Sequence, residues 1–328
     1  MIKIKGNKVH FIYKGEAETV CVRGDFNNWQ KERMHRKGET EWEIIKTFPL
    51  NARFDYKFVV DGEEIIDPDN PFTNEGGFGF NSELRMPNFH YPKAVYFQKS
   101  IPHGEIVKTG ITDKTYFKYK RDIYIYVPYG NPRTKKAIVF QDGLEYILFG
   151  AAKNVLDYLI HKGQIPPLIG IFVDIRKNRR IKEYSAHSKY HEFITKKVLP
   201  YIESKRHTKF NEIYIAGASL GGYVSIDTVM KHSDVFAGAI SQSGALLFNA
   251  DVDFSHLSEK KVYMDCGRFE TQVDESMDIV FTNKFFAKKF RQSGASVTFK
   301  AWNDGHSWGN WKAHLPYALT SIFKEGKK

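Results

Sequence analysis

The chain has few cysteines and no long apolar segment. Its 328 residues include only two cysteines, Cys21 and Cys266, which are too few for a disulfide framework. No stretch approaches the roughly 18 consecutive apolar residues of a membrane-spanning helix, and the first residues lack the apolar core of a secretory signal. We therefore expect a cytoplasmic protein with reduced thiols and no membrane partner.

Acidic residues are in the minority, and the imbalance is confined to one part of the chain. The formal net charge is +11. Residues 1–100 are neutral overall, so residues 101–328 carry the whole excess. A basic surface attracts anions in general, but the basic and aromatic motifs of nucleic-acid binding are not evident in the sequence. We expect a small anionic partner and no nucleic acid.

The first part of the chain has the alternation of β-structure. Apolar and polar residues alternate in several segments, and glycine, asparagine and aspartate mark the turns between them. These segments are residues 8–13, 19–23, 41–47 and 53–60. Short strands at this spacing predict an all-β, immunoglobulin-like sandwich over residues 1–90. The prolines that follow predict a linker at residues 91–103.

From residue 104 onward, predicted strands alternate with predicted helices. Residues 137–140 and 169–173 are continuously apolar, as expected for parallel strands that are covered on both faces. The pattern predicts an α/β domain with a mostly parallel sheet over residues 104–328. Strands are predicted at residues 104–111, 117–127, 137–141, 168–173, 212–216, 238–241, 261–266 and 296–301, and helices at 145–162, 190–205, 221–232, 274–293 and 307–323.

A glycine-rich turn follows the strand predicted at residues 212–216. Residues 217–221, Gly-Ala-Ser-Leu-Gly, fit the G-x-S-x-G pattern, and a predicted helix follows at once. In this pattern the serine lies on a sharp turn between strand and helix, where the neighbouring positions must lack side chains. Ser219 is therefore predicted to be a nucleophile. The N–H group of Leu220, at the helix start, is predicted to stabilise an oxyanion.

A nucleophile of this kind needs an acid and then a histidine later in the chain. His306 follows the last predicted strand and opens the last helix, so we predict that it is the base. Glu270, which follows the strand at residues 261–266, is the predicted acid. Asp274 and Glu275 are the other candidates, although a helix N-cap role explains Asp274 better and Glu275 falls in the first turn of that helix. Leu144 is predicted to supply the second oxyanion N–H.

Three motifs together resemble the esterase D superfamily, and the resemblance covers about residues 104–325. They are Phe-Gln-Asp-Gly at residues 140–143, Gly-Ala-Ser-Leu-Gly-Gly at 217–222 and Asp-Gly-His-Ser-Trp-Gly-Asn-Trp at 304–311. The superfamily includes ferric enterobactin esterases, feruloyl esterases and mycolyltransferases. The resemblance implies an α/β-hydrolase fold and a serine triad at the positions predicted above, with no metal or cofactor. It also implies substrate contacts at Trp308 and Trp311.

The amino-terminal part resembles glycogen-binding modules and isoamylase amino-terminal domains over most of residues 8–86. The resemblance depends on Arg-Gly-Asp-Phe-Asn-Asn-Trp at residues 23–29 and on residues 56–62. It implies sugar contacts by Trp29, Lys57 and Asn81. The second aromatic platform of these modules falls at Glu64, which cannot stack on a sugar. A core or interface role for Trp29 is therefore the alternative.

The substrate prediction combines charge with resemblance. Gly-Arg-Phe-Glu at residues 267–270 is similar to an element of the siderophore esterases. The basic segment 176–182 follows a predicted strand, and we predict that its Arg179 and Arg180 bind substrate; an ordinary solvated loop is the alternative. We expect a serine esterase that hydrolyses a catecholate siderophore of the enterobactin type. A feruloyl or acetyl-xylan esterase and a non-enzymatic glycan-binding scaffold are the alternatives, and a homodimer is left open.

Overall fold

The computed structural model describes residues 1–77, 79–185, 188–249, 251–273 and 277–323. The chain divides into two compact units. The first comprises residues 1–91, 266–281 and 301–310, and the second comprises residues 92–265, 282–300 and 311–328. Two late segments thus group with the amino-terminal part, which a single boundary near residue 90 does not anticipate. Among the described residues, we find no helix with the length and apolar character that crossing a membrane requires.

The first unit contains two antiparallel sheets, which confirms the predicted all-β fold. One sheet has the described strands in the order Ile2–Lys5, Lys8–Lys14, Glu41–Thr47 and His35–Arg36. The other has the order Glu32–Arg33, Val20–Gly24, Arg53–Val60, Gly79–Arg85 and Thr73–Gly76, with Glu63–Ile65 paired to Arg53–Val60. A short 3₁₀ helix, Asp25–Asn27, follows Val20–Gly24.

Aromatic side chains from alternate strand positions fill the core of this unit. Phe11, Phe54 and Phe58 are fully buried, because every second residue of a strand points to the same face of its sheet. Phe269, from the late segment 266–281, packs edge-on against Phe54 with ring centroids 4.6 Å apart. The segment that precedes the predicted acid is therefore part of the sandwich core.

The second unit contains a mixed sheet that is parallel over most of its width, as predicted. Its described strands lie in the order Glu105–Thr112, Lys120–Val127, Ile169–Val173, Lys136–Phe140, Glu212–Ala218, Gly238–Gln242, Lys261–Gly267 and Ser296–Trp302. The pairs from Ile169–Val173 to Lys261–Gly267 are parallel, and the first strands pair antiparallel. The predicted linker residues Ala94 and Val95 are buried, and Asn154 donates to the carbonyl of Val95.

The helices of this part follow the predicted order but differ from the prediction in number and extent. The described α-helices are Gly143–Leu148, Ala152–His161, Arg180–Tyr184, Ser188–Phe193, Leu199–Arg206, Leu220–Lys231, Ile279–Gln292 and Trp308–Phe323, with a π-helical segment at Ile194–Val198. Ala151, in the left-handed conformation at φ 53°, divides the helix predicted at 145–162 in two. The basic segment contains the helix Arg180–Tyr184.

A further difference concerns the helix that the sequence places at residues 274–293. It begins at Ile279, and the Asp278 carboxylate accepts the N–H of Phe281 at 2.8 Å, as a capping side chain does. The predicted start at residue 274 is therefore wrong. Asp274 itself lies outside the described residues.

Candidate active site

Ser219 lies on a strained turn between the strand Glu212–Ala218 and the helix Leu220–Lys231. Its φ is 56° and its ψ is −125°, a conformation that residues other than glycine seldom adopt. A Cβ atom at Gly217 would lie 2.2 Å from the Gly221 carbonyl oxygen, so a side chain there would prevent the turn. The Ser219 N–H donates to the Gln242 carbonyl at 2.8 Å. These contacts give the geometry of a nucleophile elbow.

The segment that bears Leu144 lies beside this elbow. Phe140 pairs with Ala216 on the neighbouring parallel strand, so both loops leave the sheet at the carboxyl ends of adjacent strands. A Cβ atom at Gly221 would lie 2.9 Å from Asp142 Oδ2. Leu144 and Leu220 are each near the start of a helix, where backbone N–H groups lack partners within the helix. Both predicted oxyanion donors therefore lie in the same part of the second unit as Ser219.

Arg180 holds these two loops together. Its Nε and Nη2 donate to Asp142 Oδ1 and Oδ2 at 2.7 and 2.8 Å, and Nη2 also lies 3.3 Å from the Ala218 carbonyl oxygen. Burial opposes the charge of Arg180, but the Asp142 carboxylate more than offsets this and raises the pKa of the guanidinium. Arg179 instead lies over the Tyr119 ring, 4.9 Å from its centroid. Of the two predicted substrate-binding arginines, Arg180 thus has its charge matched within the protein.

Glu270 and His306 form a hydrogen-bonded pair within the first unit. The distance from His306 Nδ1 to Glu270 Oε2 is 2.9 Å. Glu270 is 1% exposed, and its Oε1 accepts the Gly267 N–H at 2.6 Å. A carboxylate in this position favours the tautomer with the proton on Nδ1, which leaves the lone pair on Nε2 for a general base. Two residues that the sequence places 36 positions apart are therefore in contact.

Asn310 is a polar partner of this pair that the sequence analysis did not identify. Its Nδ2 donates to the Gly305 carbonyl at 2.9 Å and lies 3.3 Å from Glu270 Oε1. The side chain is 1% exposed, and it connects the loop of His306 to the acid. Its position four residues after His306, in the first turn of the helix Trp308–Phe323, is the feature of the sequence that could have indicated a contact with the His306 loop.

His306 and Glu270 line a cleft of about 970 Å³ in the first unit. The three residues predicted to contact a glycan, Trp29, Lys57 and Asn81, line the same cleft. Each has a partner inside the protein: Trp29 Nε1 donates to Asp25 at 3.1 Å, Lys57 lies 3.3 Å from Glu64, and Asn81 donates to Asp55 at 3.1 Å. The face that resembles a sugar site therefore opens onto the predicted base and acid.

The two predicted substrate-binding tryptophans are mostly buried. Trp308 is 6% exposed and Trp311 is 8% exposed. Trp311 Nε1 donates to Ser243 Oγ at 2.9 Å, and its carbonyl accepts the side-chain amide of Gln242. Among the described residues, those that line the cleft do not include either tryptophan. Also within the described residues, no group of three or more His, Cys, Asp or Glu side chains is arranged to hold a metal ion.

Asp25 is a buried carboxylic acid in the lining of the same cleft. Its two oxygens accept the Asp55 N–H at 2.7 Å and the Trp29 indole N–H at 3.1 Å. Burial, reinforced by the negative charge of Asp55, raises the pKa of Asp25 to about 7, although Arg53 acts in the opposite direction. In the unfolded chain the same group titrates near the ordinary pKa of aspartate. Between about pH 4 and pH 7 the folded protein therefore holds a proton at Asp25 that the unfolded chain has released.

This difference predicts a pH dependence of stability. The stabilisation from the raised pKa of Asp25 is complete below about pH 4 and is lost as the pH rises through about 7. Asp25→Asn removes the titration, so the stability of the wild type relative to the variant should fall by about 2–3 kcal/mol from pH 5 to pH 8. Urea unfolding at several pH values measures it. A difference that is constant with pH would contradict the assignment.

Two known families match successive parts of the chain. Residues 115–322 match the family described as "Putative esterase", which covers more than half of the chain. Residues 7–83 match the "Glycogen recognition site of AMP-activated protein kinase". An acetyl esterase of Caldicellulosiruptor saccharolyticus is 22% identical over 226 residues, covering 55% of this chain and 82% of the relative.

Solved esterase structures share the fold. An enterochelin esterase from Shigella flexneri superimposes with a TM-score of 0.80 at 19% identity, over 99% of this chain and 95% of the other. A ferulic acid esterase superimposes with a TM-score of 0.57 at 20% identity, over 68% of this chain and 98% of the other. At these identities the likeness concerns the fold alone. Because the family match covers most of the chain, this protein belongs to the esterase family and is a serine ester hydrolase.

Proposed function

We propose that this esterase hydrolyses an anionic aromatic ester of the catecholate siderophore class, such as an enterobactin-type trilactone. Ser219 would be the nucleophile, His306 the base and Glu270 the acid that orients the imidazole. The observation that carries the proposal is the cleft that His306 and Glu270 share with the Trp29 indole and with cationic side chains. The Trp29 ring can stack on the aromatic ring of a catecholate, and the neighbouring cations can attract its negatively charged oxygens.

The proposed reaction has two acyl-transfer steps. Ser219 Oγ attacks the ester carbonyl and forms a bond to its carbon, while its proton passes to His306 Nε2. The Leu144 and Leu220 N–H groups stabilise the oxyanion, and the His306 proton passes to the departing alkoxide. Water then attacks the acyl-serine in the same way, giving the carboxylic acid and restoring Ser219. Glu270 stabilises the imidazolium that forms in each step.

The cationic side chains beside Trp29 support an aromatic and anionic substrate, although four carboxyl groups also line the cleft: Asp25, Asp55, Glu64 and Glu270. The Arg23 guanidinium lies 5.7 Å from the centre of the Trp29 ring, and Lys31 and Lys57 line the same cleft. Glu64 pairs with both Arg23 and Lys57, so part of this positive charge is compensated in the absence of substrate. An anionic ring stacked near Trp29 would gain from both the aromatic surface and the cations.

The extent of the structural likeness favours the same substrate class over a polysaccharide ester. The likeness to the enterochelin esterase extends over both units, whereas the likeness to the ferulic acid esterase covers about two thirds of the chain. The acetyl esterase relative and the glycogen-site match favour the second candidate, an esterase of plant polysaccharide. Against it, Glu64 occupies the place of a second sugar platform, and its carboxylate pairs with Lys57.

The charge of Glu64 provides a direct test. We expect kcat/KM for a ferric tris-catecholate trilactone to fall by about tenfold or more between low salt and 1 M salt, because an ionic strength of 1 M screens exposed charges. Glu64→Gln releases Arg23 and Lys57 from their partner, so it should raise the low-salt value by about threefold. Methyl ferulate, which is nearly neutral, should respond little to either change.

A matched control lies next to the tested residue. Glu63 is exposed and precedes Glu64 on the strand Glu63–Ile65, so its side chain points to the opposite face. Glu63→Gln makes the same charge change and should leave siderophore capture unaltered. Turnover of methyl ferulate without turnover of the trilactone would contradict the siderophore proposal and favour the polysaccharide esterase. Trilactone turnover that ignores both salt and Glu64 would remove the cleft cations from the mechanism.

A further inference from the structure

Arg53 is a fully buried guanidinium at the start of the strand Arg53–Val60. On the sandwich side it binds the carboxylates of Asp55 and Glu83, with Nε 2.5 Å from Glu83 Oε1. On the other side its Nη1 donates to Asp304 Oδ1 at 3.1 Å and to Ser307 Oγ at 2.8 Å. Its partners therefore include residues on both sides of His306 in the loop at residues 303–307.

The loop also fits closely against this charged group. A Cβ atom at Gly305 would lie 2.1 Å from Asp25 Cγ, and one at Gly309 would lie 1.9 Å from Arg53 Cζ. The backbone N–H of Arg53 donates to the backbone carbonyl of Asn303 at 3.0 Å. Only glycine allows the backbone to come this close to a side chain. The backbone before and after His306 therefore packs directly against Asp25 and Arg53.

Arg53 keeps its charge although it is buried. Burial would lower the pKa of Arg53, but the surrounding carboxylates raise it, so the guanidinium stays charged. Although burial opposes ionisation of Glu83, the charge of Arg53 lowers the pKa of this carboxyl. Buried ion pairs stabilise folds weakly, because desolvation offsets their attraction. In this cluster the contacts of Arg53 with Asn303, Asp304 and Ser307 fix the geometry of the segment that carries His306.

The residues next to Glu270 also pack against the β-sandwich of the first unit. Phe269 packs against Phe54 in the sandwich core, with ring centroids 4.6 Å apart, and Thr271 Oγ1 lies 3.3 Å from Asn28 Oδ1. The residues on either side of Glu270 thus contact the sandwich. Both members of the His306–Glu270 pair depend on one scaffold for their relative position.

We propose that Arg53 and Asp25 are positioning residues for ester hydrolysis, which hold the His306 loop in register with Glu270. The sandwich is then part of the hydrolytic machinery rather than a separate glycan-binding module. This inference rests on the proposed role of His306 as the base. Arg53 is fully buried and does not line the cleft; Asp25 does line it, and the role assigned to Asp25 is to position the loop, not to bind substrate.

The experiment changes the contacts of the His306 loop with Asp25 and Arg53, and it leaves His306 and Glu270 unchanged. Gly305→Ala places a methyl group against Asp25, and Ser307→Ala removes one acceptor of Arg53. Gly38→Ala is the control, because a Cβ atom there meets nothing within 4 Å. The assays are kcat and KM on an activated aryl acetate, and the low-field proton NMR signal of His306 Nδ1–H. His306→Gln is measured alongside.

We expect Gly305→Ala to lower kcat by about 10²-fold with KM within about twofold, because a displacement of about 1 Å has this effect on a catalytic group. Ser307→Ala should lower kcat by about tenfold. Both should shift or broaden the Nδ1–H signal, which a loss of stability alone would leave in place. Gly38→Ala should match the wild type. If Gly305→Ala does not fold, Ser307→Ala decides.

Folded variants with wild-type kcat and an unchanged signal would overturn the positioning role. Wild-type turnover by His306→Gln would instead contradict the proposed base, whatever the two loop variants show. A lower kcat with an unshifted Nδ1–H signal would also overturn the positioning role, since the imidazole would then be held as before. The aryl acetate is neutral, so failure of the siderophore proposal does not affect the result.

Discussion

The Ser219→Ala variant is expected to lose about 10⁴-fold or more of kcat, because the members of a serine triad act as a unit. In the proposed mechanism Ser219 Oγ is the atom that forms the acyl bond, and no other group can replace it in that step. Ser219 lies at the start of the helix Leu220–Lys231 in a conformation with φ 56°. Alanine is the smallest change that retains a Cβ atom there. Initial rates on an aryl ester measure the effect.

The fold of this variant should persist, because the turn is held by the backbone. The Ser219 N–H donates to Gln242, and the Ser219 carbonyl accepts the N–H groups of Gly222 and Ala245 at 3.0 Å each. Alanine makes all of these bonds. Ser233→Ala, just beyond the end of the same helix, is a control that should hydrolyse like the wild type. Near-wild-type hydrolysis by a folded Ser219→Ala protein would contradict the assignment of the nucleophile.

The second large effect is expected for Glu270→Gln, at about 10²- to 10⁴-fold in kcat. Both carboxylate oxygens of Glu270 accept hydrogen bonds, one from His306 Nδ1 and one from the Gly267 N–H. Glutamine keeps only one acceptor oxygen, and its amide group must face one of these two donors. The imidazolium that forms in the transition state also loses its counter-charge.

The comparison for this variant is Asp274→Asn, which removes a charge near Glu270 in the sequence. It should change kcat little, whereas Glu270→Gln should also disturb the Nδ1–H proton signal of His306. Measuring both variants on the same substrate separates the two acidic residues. If the effects were reversed, Asp274 would be the acid and Glu270 would hold the loop at Gly267.

Local patterns in the sequence gave a good account of the sheet. Continuous apolar runs such as residues 137–140 and 169–173 lie within parallel strands of the second unit, as predicted. The helices were less well predicted. Gly150 and Ala151 divide one predicted helix, and the described helix Ile279–Gln292 starts later than predicted. Apolar periodicity reports which face is buried, but it does not report where a backbone turn interrupts the helix.

The pairing of charged side chains is not visible in the sequence. Arg180 and Asp142 are 38 residues apart, and the basic segment gave no sign that one of its arginines pairs inside the protein. Similarly, Arg53 and Asp304 are separated by 251 residues. Charge counts show where cations lie along the chain. They do not show which cations are matched by a carboxylate that the fold brings close.

The sequence by itself determined the two-part architecture, the elbow around Ser219 and the order of the candidate acid and base, because these depend on local spacing and on apolar patterning. Only the tertiary structure decided that Glu270 contacts His306 and that Trp29, Lys57 and Asn81 face the same cleft. It also decided that Arg53 and Asp25 lie beneath the His306 loop. The physical reason is that buried charges are stable only beside partners, and those partners come from distant parts of the chain.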